Sequence, residues 1–455
     1  MLPPLLKLAA DLDAGRLRAR RLIEECLARI ADTAGQGRAA FLKVYEARAR
    51  LEADAVDALR ASGAHLPPCA GIPISIKDLF DVCGDVTTAG TQVLAARPPA
   101  VRDALSVQRL RAAGFILIGR TNMTEFAYSG LGMNPHYGTP LNPFDRATGR
   151  IPGGSSSGAA VSVTDGMAAA GIGTDTGGSC RVPAALTGIV GFKPTQHRVP
   201  REGVLPLSPT LDSVGPLARS VACCAVVDAV LSGAQELREA VPEAFPLRGL
   251  RLLAPQSFVL EDLDASVAGA LERALALLAQ RGVIVVPAPL AELKRLPEIN
   301  AKGGFSAAES YAEYAELLGR DPPVLDPRVA VRIAKGGEQS AVDYIRLGQE
   351  RRALRARVAR VTAEFDAVVM PTTPIIAPVL ADLAGDAAYF RANGLVLRNP
   401  AIANFLDRCS ISVPIERLGE PPVGLMLMGE HGEDCKLLAI ARAIEAALET
   451  QRGLS

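Results

Sequence analysis

The segment from Ile151 to Pro194 places glycines and hydroxyl side chains where a compact domain usually places hydrophobic residues. Two such runs, Pro152-Gly-Gly-Ser-Ser-Ser-Gly158 and Gly173-Thr-Asp-Thr-Gly-Gly-Ser179, flank an apolar stretch. Glycine adopts backbone conformations that other residues disfavour, so each run is able to present backbone N–H groups beside a hydroxyl. The pattern predicts that two serine-bearing loops meet at one site, around which the rest of the fold is organised.

Three more motifs occur elsewhere in the chain. Gly71-Ile-Pro-Ile-Ser-Ile-Lys-Asp78 precedes the segment, and Met370-Pro-Thr-Thr-Pro374 follows it. Asn404 and Ile411-Ser-Val-Pro414, with Pro422-Val-Gly-Leu425, complete the set. In this order the motifs closely resemble those of the amidase signature family of serine hydrolases. The resemblance runs from about residue 70 to the last helix, and it implies cleavage of carboxamides.

The resemblance also implies roles for individual residues. Lys77 matches the family's base, Ser155 its proton relay and Ser179 its nucleophile, and the family has a cis peptide bond at the relay serine. Ser129 matches a residue that lines the acyl pocket. The oxyanion hole is assigned to Thr176, Gly177 and Gly178 with the Ser179 amide. Ser156 is offered as a further hydroxyl for a hydrogen bond to Lys77, and Asp175 and Arg181 are expected to pin the loop as a buried ion pair.

The residues themselves favour a lysine base. A serine nucleophile needs a base and fixed donors for the oxyanion, and none of the four histidines lies in the glycine-rich segment. A lysine pKa of about 10.4 must fall by roughly 3 units for the amine to be neutral near pH 7, and burial supplies such a shift. The apolar neighbours Ile74, Ile76 and Phe80 provide that burial, and we expect Asp78 and Asp81 to point away from the lysine.

Short apolar runs that follow helical segments indicate the fold class. Phe115–Ile118 is typical of a strand buried on both faces, and Val283–Val286 and Ala367–Met370 repeat this pattern of a strand after a helix. They predict an α/β fold, and the resemblance implies an α/β/α sandwich around a large mixed, mainly parallel sheet. Asn122 and Glu125 are interpreted as a capping pair at the start of a helix.

We expect a single domain over residues 1–455. Residues 1–65 are predicted to form a helical segment packed on that domain, and residues from about 290 to 363 a helical insertion that covers the site.

Composition limits the partners and the compartment. Forty-nine basic and forty-nine acidic residues cancel, so no global field attracts nucleic acid, and no run of eighteen apolar residues predicts a membrane span. The eight cysteines include no C-x-x-C pair and favour free thiols in the cytoplasm. Metal ligands are not clustered, and no cofactor motif occurs, so neither a metal nor a cofactor is expected.

Two alternatives stay open at this point. Gly154–Gly158 fits G-x-S-x-G, which would make Ser156 the nucleophile of an α/β-hydrolase with His197 or His431 as base. However, the preceding residues 142–149 resemble a loop rather than the apolar strand that such an elbow needs. The second alternative is the A subunit of a tRNA-dependent glutamine amidotransferase, which acts with partner subunits and shares the signature.

The sequence favours a free-standing amidohydrolase over the amidotransferase component. That component's family carries an Arg-Tyr-Asp-Gly stretch, which is absent after Ala308-Glu-Ser-Tyr311. We therefore expect a cofactor-independent enzyme that acts on a small-molecule carboxamide, and the family resemblance suggests a homodimer. Asp407-Arg-Cys409 departs from the Gly-Leu-Pro run of many members, so the substrate preference is not readable there.

Overall fold

The structure is a computed structural model, which describes residues 1–234, 240–319 and 325–452. The first half of the chain contains the α-helices α1 (Leu5–Asp13), α2 (Ala19–Ala31), α3 (Gly37–Ala40), α4 (Glu46–Ala61), α5 (Leu105–Ala112), α6 (Ser157–Thr164), α7 (Arg181–Thr187) and α8 (Val221–Ser232). The second half contains α9 (Ala265–Gln280), α10 (Leu296–Ile299), α11 (Gly304–Leu318), α12 (Pro327–Ala334), α13 (Ala341–Thr362), α14 (Asp386–Arg398), α15 (Pro400–Leu406) and α16 (Asp434–Arg452). Short 3-10 helices occupy Glu125–Ala127, Arg146–Thr148, Ala291–Arg295, Lys335–Glu338 and Leu380–Leu383.

The strands of the described residues form one sheet in the order β1-β3-β2-β4-β6-β5-β10-β11-β9-β7-β8. Their bounds are β1 (Phe41–Val44), β2 (Pro73–Lys77), β3 (Ile116–Thr121), β4 (Ala170–Asp175), β5 (Val190–Lys193), β6 (Ser213–Ala218), β7 (Arg251–Pro255), β8 (Ile284–Ala288), β9 (Ala367–Pro371), β10 (Ser410–Pro414) and β11 (Gly424–Met428). The three apolar runs singled out above fall in β3, β8 and β9, so the prediction of strands there is confirmed.

The sheet is mixed, as predicted, but it is not mainly parallel. Six of its ten strand pairings are antiparallel and four are parallel. A parallel connection needs a crossover of a dozen or more residues, usually a helix. Only residues 415–423 join β10 to β11, and residues 194–212 join β5 to β6 without a helix. At the centre of the sheet the pairings β4–β6, β6–β5, β5–β10 and β10–β11 are all antiparallel, which the apolar runs alone did not reveal.

Helices cover both faces of the sheet. Side chains alternate between the two faces of a strand, and in β6 Val214 and Ala218 join the core cluster that includes α8, whereas Leu217 packs with residues of α6 and α7. The prediction of an α/β fold with helices around the sheet is confirmed. Among the described residues, no helix combines the length and the apolar character needed to cross a membrane.

The N-terminal residues form the predicted helices and one strand that was not expected. Leu5, Leu8 and Leu12 of α1 are buried, and α2 begins at Ala19. Phe41–Val44 pairs with β3 as an edge strand, and α4 begins after it at Glu46. The outer limits of this segment and of the 290–363 insertion stay predictions.

Candidate active site

The site lies where β2 and β4 end. These strands are parallel neighbours, with Ile76 opposite Ile172, so their carboxyl ends meet at one edge of the sheet. Lys77 is the last residue of β2, and its Nζ lies 2.8 Å from the Oγ of Ser155 and 2.8 Å from the Oγ1 of Thr174. The edge of the sheet thus brings together a lysine and two hydroxyls that are 78 and 97 residues away in the sequence.

Lys77 is completely buried, and its pKa falls accordingly. Burial lowers the pKa to about 8, although the nearby Cys180 and the acids Asp175 and Asp212 act in the opposite direction. A buried ammonium loses its hydration, so the neutral amine is favoured. Asp78 points away, as expected, because its carboxylate accepts hydrogen bonds from Thr88 and the Gly90 amide. A substantial share of the amine is therefore neutral close to physiological pH.

Ser155 belongs to the loop before α6, and the Gly154–Ser155 peptide bond is cis, as the family resemblance implied. The next amide, that of Ser156, donates to the carbonyl of Ser179 at 3.3 Å and ties the two serine loops together. The hydroxyl of Ser156 bonds to the carbonyl of Thr174 at 3.5 Å. The second hydroxyl on the lysine is thus Thr174, whereas sequence reasoning had offered Ser156 for that contact.

The loop from Thr176 to Ser179 joins β4 to α7. Gly178 has φ +131°, and a Cβ there would lie 2.6 Å from Pro400, so this position requires glycine. Its amide donates to Asp175 Oδ1 at 2.9 Å, which leaves it unavailable to an oxyanion. In the described part of the chain the amides of Thr176, Gly177 and Ser179 donate to no acceptor. The free donors of the predicted hole are therefore these three.

Asp175 and Arg181 form a completely buried ion pair that fixes this loop. Arg181 contacts both carboxylate oxygens, at 2.8 and 3.1 Å, and Asn404 donates to the carboxylate at 2.9 Å. Burial alone would raise the pKa of Asp175, but the charge and hydrogen bonds of Arg181 outweigh it and lower the pKa to about 2. Because every partner is satisfied, the pair acts as a rigid brace rather than as a proton carrier.

Ser179 lines a pocket beside this loop. An inner chamber of about 50 Å³ is bounded by Ser179, Ser129, Thr176, Gly177 and Arg332. An outer chamber of about 230 Å³ shares Thr176, Gly177 and Arg332 with it and extends toward Phe258 and Phe405. Two larger hollows, each of about 620 Å³, lie along the N-terminal helices and contain none of the predicted site residues. The site is thus a small chamber that opens into a wider one.

Ser129 is in this wall, but its hydroxyl has a partner already. The Oγ lies 2.9 Å from Oδ1 of Asn393, which also accepts the Gly130 amide at 2.8 Å. A substrate contact from Ser129 would compete with this bond.

The histidines and the segment 407–409, which departs from the family's Gly-Leu-Pro run, lie away from both chambers. No histidine lines either chamber, His197 is exposed, and His431 bonds to the carbonyl of Asp407 at 2.8 Å. The Ser156 hydroxyl donates to the Thr174 carbonyl in β4 and not to a histidine, so the arrangement offers nothing to the α/β-hydrolase alternative. The segment 407–409 lines neither chamber. Within the described residues, no group of three potential ligands is arranged to hold a metal ion.

Sequence reasoning missed two residues of the site. Thr174 had a usable signal, because it lies near the end of a strand that leads into the second serine loop. Arg332, on α12, had none: no motif surrounds it, and only the chain fold brings it beside Ser179.

Comparisons with known proteins agree with this geometry. The amidase family profile matches residues 21–438. A 2-amino-5-chloromuconic acid deaminase from Comamonas testosteroni is 39% identical over 446 residues, covering 96% of this chain and 95% of that protein. The A subunit of a glutamyl-tRNA(Gln) amidotransferase from Anaeromyxobacter dehalogenans is 34% identical, covering 96% of this chain and 95% of that protein.

A crystal structure of an amidase superposes with a TM-score of 0.87 at 34% identity, covering 98% of this chain and all of that one. The match of the family profile over most of the chain, two relatives above 30% identity and the superposed structure all point the same way. The chain therefore belongs to the amidase signature family, and it is an amidase that acts on small-molecule amides.

Proposed function

We propose that Ser179 is the nucleophile and that Lys77 removes its proton through Ser155. The observation that carries this proposal is the hydrogen bond of 2.8 Å between Ser155 Oγ and the Nζ of a completely buried lysine. A neutral amine accepts the Ser155 proton while Ser155 accepts that of Ser179. Ser179 Oγ then forms a bond to the amide carbon.

The tetrahedral intermediate and its breakdown follow from the same groups. The amides of Thr176, Gly177 and Ser179 stabilise the negative oxygen. The proton held by Lys77 returns through Ser155 to the leaving nitrogen, the carbon–nitrogen bond breaks, and ammonia or an amine departs. Water then attacks the acyl carbon and gives up a proton along the same relay. The bond between this carbon and Ser179 Oγ breaks, the relayed proton returns to Ser179 Oγ, and the carboxylate product is released.

The experiment compares two neighbouring serines. Ser179→Ala is expected to abolish both ammonia release from an amide panel and labelling by a fluorophosphonate, because the nucleophile is gone. Ser156→Ala is the control, and it should still be labelled. Labelling lost in Ser156→Ala but retained in Ser179→Ala would reject this assignment in favour of the α/β-hydrolase alternative.

We favour an independent amidase over a component of an amidotransferase. The Arg-Tyr-Asp-Gly stretch of that component is absent, and the deaminase is more similar to this chain than the Anaeromyxobacter protein is. Glutamine should therefore be a poor substrate for the purified chain. Activity on glutamine that appears only with added partner subunits would support the amidotransferase instead.

The remaining proposals concern the cellular compartment, the cover over the site and the oligomeric state. All eight cysteines are free, which supports a reducing compartment and therefore the cytoplasm. Leu296, Ser306 and Arg332 line the chambers, which supports the interpretation of residues 290–363 as a cover over the site. The homodimer stays a prediction from the family resemblance.

A further inference from the structure

Arg332 brings a positive charge into the wall of both chambers. It lies on α12, and its guanidinium carbon sits 4.1 Å from the centre of the Tyr128 ring. One nitrogen donates to the backbone carbonyl of Tyr128. A guanidinium stacked on an aromatic face keeps its edge N–H groups available for a planar acceptor.

The partners of Arg332 differ from those of Arg181. Arg181 binds a carboxylate, an amide oxygen and a carbonyl, so its donors are used within the protein. Arg332 donates to one carbonyl and, among the residues that the structure describes, pairs with no acid. Its neighbour on the same helix, Arg328, is ion-paired with Asp386 at 2.8 Å. Arg332 is therefore the cation of this helix that has donors left for a ligand.

The described residues that line the chambers include cations but no acid. Arg398 is the second charged side chain of the described lining, and it donates to the carbonyls of Val259 and Glu261. The carboxylate of Asp212 lies behind this lining, where it accepts the Thr176 hydroxyl at 2.6 Å. The positive electrostatic potential from the lining guanidinium groups thus favours anionic ligands over neutral and cationic ones.

The helix that carries Arg332 is held in place. The buried carboxylate of Glu125 accepts the Asp326 amide at 2.7 Å just before α12, and its other oxygen bonds to His136 at 2.8 Å. Glu125 was predicted to cap a helix, but no such cap forms, and this residue instead links the site loop to the cover. A fixed helix lowers the entropy lost when Arg332 binds a ligand.

We propose that Arg332 binds a carboxylate of the substrate, which makes the substrate an amide that also carries a free carboxylate. A planar guanidinium pairs with a carboxylate through two parallel hydrogen bonds. Arg332 and Ser179 border the same chamber of about 50 Å³, which holds only a few heavy atoms. The carboxylate therefore lies a few bonds from the amide carbon. This inference rests on the function proposed above and specifies its substrate class.

The test compares charged and neutral amides of the same shape. The charged probes are the monoamides of three- to six-carbon dicarboxylic acids, and each has a neutral partner in which a methyl ketone replaces the carboxylate. The wild-type enzyme should prefer the best charged amide over its partner by at least about 100-fold in kcat/KM. Arg332→Gln should lose about 100-fold on that charged amide, mainly through KM, and less than about threefold on the neutral one.

Two further variants separate recognition from a structural role. Arg332→Lys keeps the charge without the planar fork and should retain about a tenth of the activity on the charged amide. Arg328→Gln removes a cation from the same helix outside the chambers and should change neither substrate by more than threefold. Equal losses on both substrates in Arg332→Gln and Arg332→Lys, or a wild-type preference for the neutral amides, would overturn the inference.

A second readout needs no turnover. The charged amides should slow fluorophosphonate labelling of Ser179 in the wild type but not in Arg332→Gln, and equal protection in both would count against the inference. If the proposed function itself were wrong, the Ser179→Ala variant would keep its activity, and this result does not depend on the effect of the Arg332 variants.

Discussion

Lys77 and Lys193 are both buried at the end of a strand, yet their surroundings differ. Burial lowers the pKa of each to about 8. Lys77 lies against the hydroxyls of Ser155 and Thr174, whereas Lys193 donates at 2.7 Å to the carbonyl of Pro194. A carbonyl has no proton to give, so Lys193 cannot act as a base through that contact. A depressed pKa alone therefore does not identify a catalytic lysine; the proton donor beside it does.

The largest difference should appear in turnover. Lys77→Ala and Lys77→Arg are both expected to lose at least about 1000-fold in kcat, because neither side chain offers a neutral amine near pH 8. Lys193→Met should stay within tenfold of the wild type in the same steady-state assay of ammonia release. If Lys77→Arg kept more than about a tenth of the wild-type kcat, Lys77 would be a fixed cation and not the base.

A smaller difference should appear in stability. Unfolded Lys193 has a pKa of about 10.4, so from pH 8 to 10.4 the unfolded chain binds a proton that the native chain lacks. The free energy of unfolding therefore rises with pH in this window, and the cost of burying Lys193 is complete only below pH 8.

Lys193→Met removes that cost. The difference in the free energy of unfolding, variant minus wild type, should be about 3 kcal/mol larger at pH 7 than at pH 10.5. Urea denaturation of both proteins at the two pH values measures this. A difference between the proteins that does not change with pH would mean that the native pKa of Lys193 is not depressed.

The sequence predicted the proposed catalytic residues better than the other residues that contact or line the site. Lys77, Ser155 and Ser179 occur in local motifs, and Asp175 and Arg181 flank the loop in the sequence as they do in the structure. Thr174 and Arg332 reach the site only through strand pairing and helix packing between distant segments, which no local pattern encodes. The same holds for Glu125, whose capping pattern suggested a helix although both of its oxygens bind partners outside any helix.

For the fold, too, local features were predicted from the sequence and long-range features were not. Apolar runs predicted individual strands: β3 and β9 are buried on both faces, which leaves a local signature, whereas β8 is apolar although it lies at the edge of the sheet with Ile284 exposed. Strand direction depends on which neighbour each strand finds. At the centre, β5 pairs antiparallel with β6 and with β10, which lies far away in the sequence, so no strand's composition reveals these directions.

The smallest effect concerns Thr174, the contact that Lys193 lacks. Its hydroxyl accepts a hydrogen bond from the Lys77 ammonium, and an acceptor stabilises the charged form. Wild-type kcat/KM should rise with pH through about 8, as the amine loses its proton. Thr174→Val removes the acceptor, so the pKa of Lys77 should fall further and the midpoint should move down by about one pH unit, since a hydrogen bond to a charged group contributes about 1.5 kcal/mol or more.

Thr174→Ser keeps the hydroxyl and should leave the midpoint near pH 8. The midpoint does not depend on the absolute rate, so a slower Thr174→Val enzyme still gives a decisive profile; a midpoint that stays in place or moves up would show that Thr174 does not stabilise the protonated lysine.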